Sequence, residues 1–165
     1  LSLMREWQAD RIQWLAAHPQ PWSPETAAEY HRNFSAKIER WLDQGMGSCL
    51  FADPAARQVL ADCLMRFEGE RVHHQAWVIM PNHVHVLAGV SGRGVMRKQC
   101  RNWKKYSANK INERLGRAGQ FWQWESFDHL VRSPSSLAKF RAYINRNPEK
   151  ARLRPGEYIL YQRSK

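Results

Sequence analysis

With 165 residues, 43% of them hydrophobic and eight of them Trp, the chain is expected to form a single domain with a real core. No apolar stretch approaches the roughly 20 residues that span a bilayer, the N-terminus lacks the order of a secretion signal, and the three cysteines form no C-x-x-C pair. We therefore expect a cytoplasmic protein without membrane contact. The net charge of +11 is unevenly placed: residues 1–92 hold 8 Lys/Arg against 10 Asp/Glu, and residues 93–165 hold 18 against 5. This basic half predicts a polyanion partner, with nucleic acid as the leading candidate.

The first part of the chain, residues 1–68, is predicted to be mostly helical. Residues 3–17 read as a helix that ends before two prolines. Ser23 and the proline after it form a good helix start, and apolar residues then follow helical spacing until the glycines at 45 and 47. A further helix is expected to begin at Asp53-Pro54. Residues 48–51 are the only candidate for a short strand in this part.

A β-hairpin is predicted next, with strands at residues 71–80 and 83–90 around a Pro81-Asn82 turn. His83 and His85 stand two residues apart, so their side chains point to the same face of the strand. Two imidazoles in so apolar a segment need partners. A divalent metal would satisfy them, because neutral imidazole is a common metal ligand; hydrogen-bonded structural histidines are the alternative.

Residues 95–115 read as a strongly basic helix. Cations interleaved with aromatic side chains suit a single strand, where phosphates pair with the cations and bases stack on the rings. A solvated helix face and simple core packing are the alternatives. The candidate DNA contacts in this helix are Arg97, Lys98, Arg101, Trp103, Lys104, Lys105 and Tyr106.

The last long helix is predicted to begin at Ser133-Pro134, after a possible short strand at residues 127–132, and to end near Asn147, because Pro148 disfavours the α conformation of the residue before it. Tyr143 and Asn147 are four residues apart and so share one face of this helix. A tyrosine beside a metal can serve as a nucleophile, and an amide oxygen can serve as a ligand. A packed tyrosine and a helix-ending asparagine are the alternatives.

Four strings in order carry a family resemblance. Residues 83–85, two histidines around a hydrophobic residue, resemble the HUH motif of single-tyrosine transposases. Residues 78–85 (V-I-M-P-N-H-V-H) and 143–148 (Y-I-N-R-N-P) resemble the REP-associated tyrosine transposases. Between them, residues 121–123 (F-W-Q) and 127–132 (F-D-H-L-V-R) are similar to that family's Trp-Gln and Asp/Glu-His-x-x-Arg segments.

The resemblance implies a fold, a site and a partner. The fold is α+β, a small antiparallel sheet flanked by helices (the HUH, ferredoxin-like transposase fold), here with an extra helical N-terminal region. Residues 69–153 would form this core and residues 154–165 a C-terminal tail. His83, His85 and Asn147 would be metal ligands for Mg²⁺ or Mn²⁺, and Tyr143 the nucleophile that forms a 5′-phosphotyrosine. The partner would be single-stranded or hairpin DNA, with Arg132 and Arg146 as further contacts, and the enzyme a monomer or a homodimer.

The chain departs from the family at its start, since family members begin with an apolar strand and residues 1–42 read as helical. Tyr106 is the rival nucleophile, but it has no amide partner four residues further on. A nucleic-acid-binding module with a decayed active site is the first alternative function. Other metal hydrolases are disfavoured, because the chain has no second H-x-[ST] triplet, no H-x-H-x-D-H run and no H-E-x-x-H.

Overall fold

The structure is a computed structural model that describes residues 2–92, 95–123, 126 and 130–164. It divides into two compact units, Leu1–Gln44 and Gly45–Lys165. A single domain over 1–165, with a helical part at 1–68 and a core at 69–153, stays a prediction. No helix in the described ranges is long and apolar enough to cross a membrane.

The first unit is helical, as predicted, with α1 at Ser2–Ala17, α2 at Pro24–Tyr30 and α3 at Ala36–Asp43. The hydroxyl of Ser23 caps α2 by accepting from the backbone N–H of Thr26. A π-helical segment, His31–Ser35, joins α2 to α3 without a break. Trp14 lies at the centre of an aromatic cluster and contacts His18, Trp22, Tyr30 and Phe34.

The second unit contains the sheet. Strands β1 (Val72–Ile79), β2 (Val84–Val90) and β3 (Ile159–Gln162) form an antiparallel sheet in the order β2-β1-β3. The predicted hairpin of β1 and β2 is confirmed, with the backbone N–H of Met80 donating to the carbonyl of His83 at 2.8 Å across its turn. Together with the flanking helices this gives the α+β fold that the sequence predicted.

Each face of the sheet packs on different helices. Helices α4 (Pro54–Met65) and α5 (Val95–Arg114) cover one face, and α6 (Pro134–Lys150) covers the other. On the α4/α5 side the core includes Leu60, Trp77, Ile79, Trp103 and Ile111. On the α6 side it includes Ala76, Val78, Met80, Leu87 and Ile144. A bulge between His74 and Ala76 shifts the alternation of β1, which places both His74 and Trp77 on the α4/α5 side.

Two segment predictions differ from the structure, and a third lies partly outside the described residues. Residues 48–51 form no strand, because Leu50–Ala52 is a 3₁₀ turn that leads into α4. Residues 154–165 were expected as a tail, yet β3 pairs with β1 and supplies the third strand. The predicted strand at 127–132 lies partly outside the described residues.

The prediction that α6 ends at Asn147 is wrong, since the helix continues through Pro148 to Lys150. A proline in the last turn removes only one backbone donor. The end is closed by hydrogen bonds from Ala151 to the carbonyl of Asn147 at 3.0 Å and from Leu153 to the carbonyl of Pro148 at 2.9 Å.

Candidate active site

The two predicted histidines lie where the hairpin turn becomes β2. Their ring centroids are 4.8 Å apart, and the rings are nearly perpendicular. Val84 and Val86 face the other way and pack with the α4/α5 core. The alternation of the strand thus brings both imidazoles together, as the spacing predicted.

His83 is 8% exposed and has a polar neighbour in the turn. Its Nδ1 lies 2.8 Å from the Oδ1 of Asn82, whose Nδ2 donates to the carbonyl of Met46 at 2.9 Å. Burial, and then the adjacent His85, lower the pKa of His83 to about 3. The ring is therefore neutral near pH 7, which is the protonation state that a metal ligand needs.

His85 is also neutral, since burial, and then the charge of Lys150, lower its pKa to about 4. Its Nε2 is buried and has no hydrogen-bond partner among the residues that the structure describes. Such a group is costly to bury in a stable protein. A buried imidazole nitrogen without a partner is the feature that a cation would satisfy.

Tyr143 extends this cluster from α6, and Asn147 lies one turn further along the same helix. The Tyr143 ring meets the His85 ring edge-on, with centroids 5.3 Å apart, and its hydroxyl oxygen is buried. Asn147 is fully buried; its Nδ2 donates to the carbonyl of Tyr143 at 3.0 Å, and its Oδ1 has no hydrogen-bond partner within the described part of the chain. The predicted nucleophile and the predicted amide ligand therefore lie on the α6 side of the sheet, where Tyr143 faces His85.

Lys150 is a member of this site that the sequence reasoning missed. Its Nζ lies 4.8 Å from the centroid of the Tyr143 ring, and its charge acts on His85. It stands seven residues after Tyr143, which is two helical turns along the same face. That spacing could have identified it, but the predicted helix end at Asn147 concealed it.

Asn82 was also missed as a site residue. The turn pattern had identified it only as a turn former, yet its side chain contacts His83. No pattern in the sequence indicates this contact, because Met46, which holds the amide, lies 36 positions earlier.

The basic residues of α5 lie on the other side of the sheet from Tyr143. Arg97, Lys98, Arg101 and Lys105 are exposed there, while Lys104 is half-buried and donates to the carbonyl of Gln123 at 2.9 Å. Arg132 and Arg146 are exposed, Arg146 on α6. Their contact with DNA stays a prediction.

Trp103 is corrected from a DNA contact to a core residue. Its side chain is 7% exposed and its ring stacks on His74 with centroids 5.5 Å apart, so no base can stack on it. The helical stripe that it shares with Gln99, Ser107 and Ile111 faces the sheet.

Tyr106, the rival nucleophile, is 43% exposed on α5 and lines a cavity of about 440 Å³ between α4 and α5. The cavity is lined by Val59, Asp62, Tyr106, Lys110, Glu113 and Arg114, none of which is a histidine. The structure thus brings Tyr143, and not Tyr106, to the histidine pair.

A metal would have to be held here by two imidazoles and an amide. The described residues contain no cluster of three or more His, Cys, Asp or Glu side chains that could hold a metal ion. The neutral rings of His83 and His85 and the buried Oδ1 of Asn147 nevertheless fit a divalent cation chemically, since imidazole nitrogen and amide oxygen both serve as metal ligands.

Comparison with known proteins identifies the family of the chain. A family model described as "Transposase IS200 like" matches residues 52–147, which is more than half of the chain and includes both histidines, Tyr143 and Asn147. No curated protein and no solved structure matches the chain significantly. On the strength of the family match, the chain belongs to the IS200-like transposases, a family of DNA-binding enzymes of transposition.

Proposed function

We propose that this transposase is a metal-dependent endonuclease and strand transferase for single-stranded DNA, with Tyr143 as the nucleophile. The observation that carries the proposal is the contact between the rings of Tyr143 and His85, whose centroids are 5.3 Å apart. The centroid of the His85 ring is in turn 4.8 Å from that of His83. A phenol beside a pair of neutral imidazoles is a combination that suits metal-assisted phosphodiester cleavage by tyrosine.

His83, His85 and Asn147 would hold the cation. A bound Mg²⁺ or Mn²⁺ would polarise a non-bridging phosphate oxygen and offset the charge that develops in the transition state. Magnesium favours oxygen ligands and imidazole suits manganese, so two histidines favour activity with Mn²⁺ at least as high as with Mg²⁺. The buried Nε2 of His85 and Oδ1 of Asn147 support this assignment.

The reacting group is the phenol of Tyr143. Its oxygen attacks phosphorus, a P–O bond to the tyrosine forms, and the bond between phosphorus and the 3′ oxygen breaks. The phenolic proton is lost and the leaving 3′ oxygen gains one, which gives a 5′-phosphotyrosine and a free 3′-hydroxyl. The bond between Tyr143 and phosphorus is itself a phosphate ester. A second 3′-hydroxyl can therefore attack the phosphorus, release the tyrosine and join the strands.

Lys150 supports the nucleophile. An ordinary tyrosine has a pKa of about 10 and needs activation near neutral pH. The Lys150 ammonium, 4.8 Å from the ring centroid, favours the negatively charged phenolate and a nearby phosphate. Asn147 fixes the local helix by bonding the carbonyl of Tyr143.

The substrate would be hairpin-forming repeat DNA, as in the REP-associated branch of the transposases. The likeness of residues 78–85 and 143–148 to that branch supports this choice. Exposed cations on α5 and on α6 offer phosphate contacts on both sides of the sheet.

The test is formation of a covalent adduct. End-labelled single-stranded hairpin DNA is incubated with the full chain and Mn²⁺, and a denaturing gel is examined for a protein–DNA band. We expect the band with wild type, and its loss in Tyr143→Phe with DNA affinity retained. Tyr106→Phe is the matched control and should keep the band.

Two results would contradict the proposal. Loss of the adduct in Tyr106→Phe with retention in Tyr143→Phe would mean that the other tyrosine is the nucleophile. Binding of hairpin DNA without any adduct, across the repeat hairpins offered and with either metal, would favour the alternative function, a DNA-binding module with a decayed active site.

A further inference from the structure

The turn before β2 is tied to the loop that precedes α4. The Nδ2 of Asn82 donates to the carbonyl of Met46 at 2.9 Å, and the backbone N–H of Phe51 donates to the carbonyl of Pro81 at 2.9 Å. Arg57, only 3% exposed, donates in turn to the carbonyl of Phe51. These bonds hold the loop against the turn and hold the Asn82 amide in one orientation.

That orientation determines which atom of the amide faces His83. Because Nδ2 is the donor to Met46, Oδ1 is the atom 2.8 Å from the Nδ1 of His83. An amide oxygen can only accept a hydrogen bond. In the neutral ring, Nδ1 must therefore carry the proton, and Nε2 keeps its lone pair.

We propose that Asn82 is a positioning residue that fixes His83 in the Nδ1–H tautomer, so that Nε2 is available to a divalent cation. Partners of this kind orient metal-binding histidines and increase their basicity. The identity of the ligand rests on the proposed function, whereas the tautomer is a property of the metal-free chain. Asn82 acts through His83 and not on the substrate.

The tautomer is measured directly. The full chain is labelled with ¹⁵N-histidine, and two-dimensional NMR of the metal-free protein near neutral pH distinguishes a protonated Nδ1 from a protonated Nε2. A His83→Gln variant identifies the signals of this ring. We expect Nδ1–H in wild type and a shift towards Nε2–H in Asn82→Ala.

Metal affinity is measured on the same samples by calorimetric titration with Mn²⁺. We expect Asn82→Ala to weaken Mn²⁺ binding by about 10- to 100-fold, the usual loss when the partner of a ligand is removed. In Asn82→Asp a carboxylate replaces the amide; it still accepts from Nδ1, so the tautomer and the Mn²⁺ affinity should be retained even though the bond to Met46 is lost.

Asn112→Ala is the matched control. Its Nδ2 donates to the carbonyl of Gly119 at 3.0 Å, which is a comparable bond to a loop carbonyl, at the far end of α5. This variant should lose a similar amount of thermal stability while its Mn²⁺ affinity and the His83 tautomer stay as in wild type.

Three results would overturn the proposal: Nε2–H at His83 in wild type, an unchanged tautomer in folded Asn82→Ala, or a changed tautomer with unchanged Mn²⁺ affinity. If Asn82→Ala does not fold, Asn82→Asp decides, and Nε2–H in that variant overturns the proposal. A wild-type chain with the Nδ1–H tautomer but no Mn²⁺ binding would refute the metal assignment in the proposed function, and with it the role of Asn82 in metal binding.

Discussion

Two histidines on neighbouring strands, the buried His74 on β1 and the half-buried His85 on β2, have different surroundings. On the α4/α5 side, the Nε2 of His74 lies 2.9 Å from the carbonyl of Leu64, and its ring stacks on Trp103. On the α6 side, the Nε2 of His85 has no hydrogen-bond partner among the described residues. Each ring thus has one buried nitrogen without a hydrogen-bond partner among the described residues, Nδ1 in His74 and Nε2 in His85. What differs is the environment: His74 packs in the core against Trp103, whereas His85 lies beside the rings of His83 and Tyr143.

The other candidate residues also lie on different faces of the sheet. The α6 side contains the phenol, the buried amide and Lys150, whereas the α5 side contains an exposed row of cations. Chemistry and electrostatic binding are therefore expected to respond to different substitutions. The following predictions test that separation.

The largest effect is expected for substitution of His85, with His74 as the comparison. His85→Ala should lower the rate of adduct formation by about 100- to 1000-fold, because a metal ligand contributes several kcal/mol to the transition state. His74→Ala should instead destabilise the fold by about 1–3 kcal/mol, since it leaves the Leu64 carbonyl without its buried partner. Single-turnover kinetics and urea unfolding measure the two effects. An equal rate loss in folded His74→Ala would contradict the separation.

Stability should also depend on pH through the site histidines. The folded pKa values of His83 and His85, about 3 and about 4, lie below the ordinary value of 6.5. The unfolded chain therefore binds protons that the folded chain excludes. This contribution is complete above pH 6.5 and is lost as the pH falls towards 4, by up to about 2–3 kcal/mol per pH unit for two groups.

Urea unfolding of the metal-free protein at several pH values checks this slope. In His85→Leu the slope should fall by about half, because one of the two titrating groups is gone, while stability near neutral pH should be little changed or increased. An unchanged slope in that variant would mean that the pKa of His85 is not lowered in the folded chain.

A smaller effect is expected on the α5 side. Arg101→Ala with Lys105→Ala should weaken hairpin binding and reduce the salt dependence of the affinity by about one unit of slope for each lost phosphate contact. The adduct rate at saturating DNA should not change, because both residues lie across the sheet from Tyr143. Arg32→Ala removes an exposed cation of the N-terminal unit and is the control for the loss of charge alone. A lower saturated rate in the double variant would contradict the division between the faces.

The smallest expected effect concerns Lys150. In Lys150→Met the pKa of His85 should rise above about 4, since the charge of Lys150 is one of its two causes. It should stay below 6.5, because burial is the larger cause and remains. NMR titration of the metal-free protein measures this, with Lys139→Met as the control. A pKa that stays or falls would remove Lys150 from the site.

Much of this molecule could be predicted from local sequence. Residue types that favour particular conformations predict the helices of the N-terminal unit, the helix caps at Ser23 and Ser133, and the hairpin around Pro81-Asn82. The shared face of His83 and His85 follows from the period of a strand. The third strand at Ile159–Gln162 could not be predicted, because it is short and its pairing with β1 spans some 80 residues of chain.

The errors have local physical causes. Pro148 predicts a helix end at Asn147, but a proline in the last turn costs only one hydrogen bond and the helix continues to Lys150. Trp103 and Tyr106 are three residues apart in the same basic helix, and only packing decides that the first is buried and the second exposed. Composition assigned both to DNA, whereas the sheet covers only the stripe that contains Trp103.

By itself, then, the sequence determined the elements and the pairs within them: the histidines of one strand, and the tyrosine and asparagine of one helix. Short-range geometry is sufficient for these, because the backbone periods fix which side chains share a face. Only the tertiary structure decided that α6 covers the histidine face and α5 the opposite one, and that Met46 holds the amide beside His83. These contacts join residues far apart in the chain. Local conformational preferences do not distinguish between the possible packings of the helices on the sheet, so only the packing of the whole domain selects one.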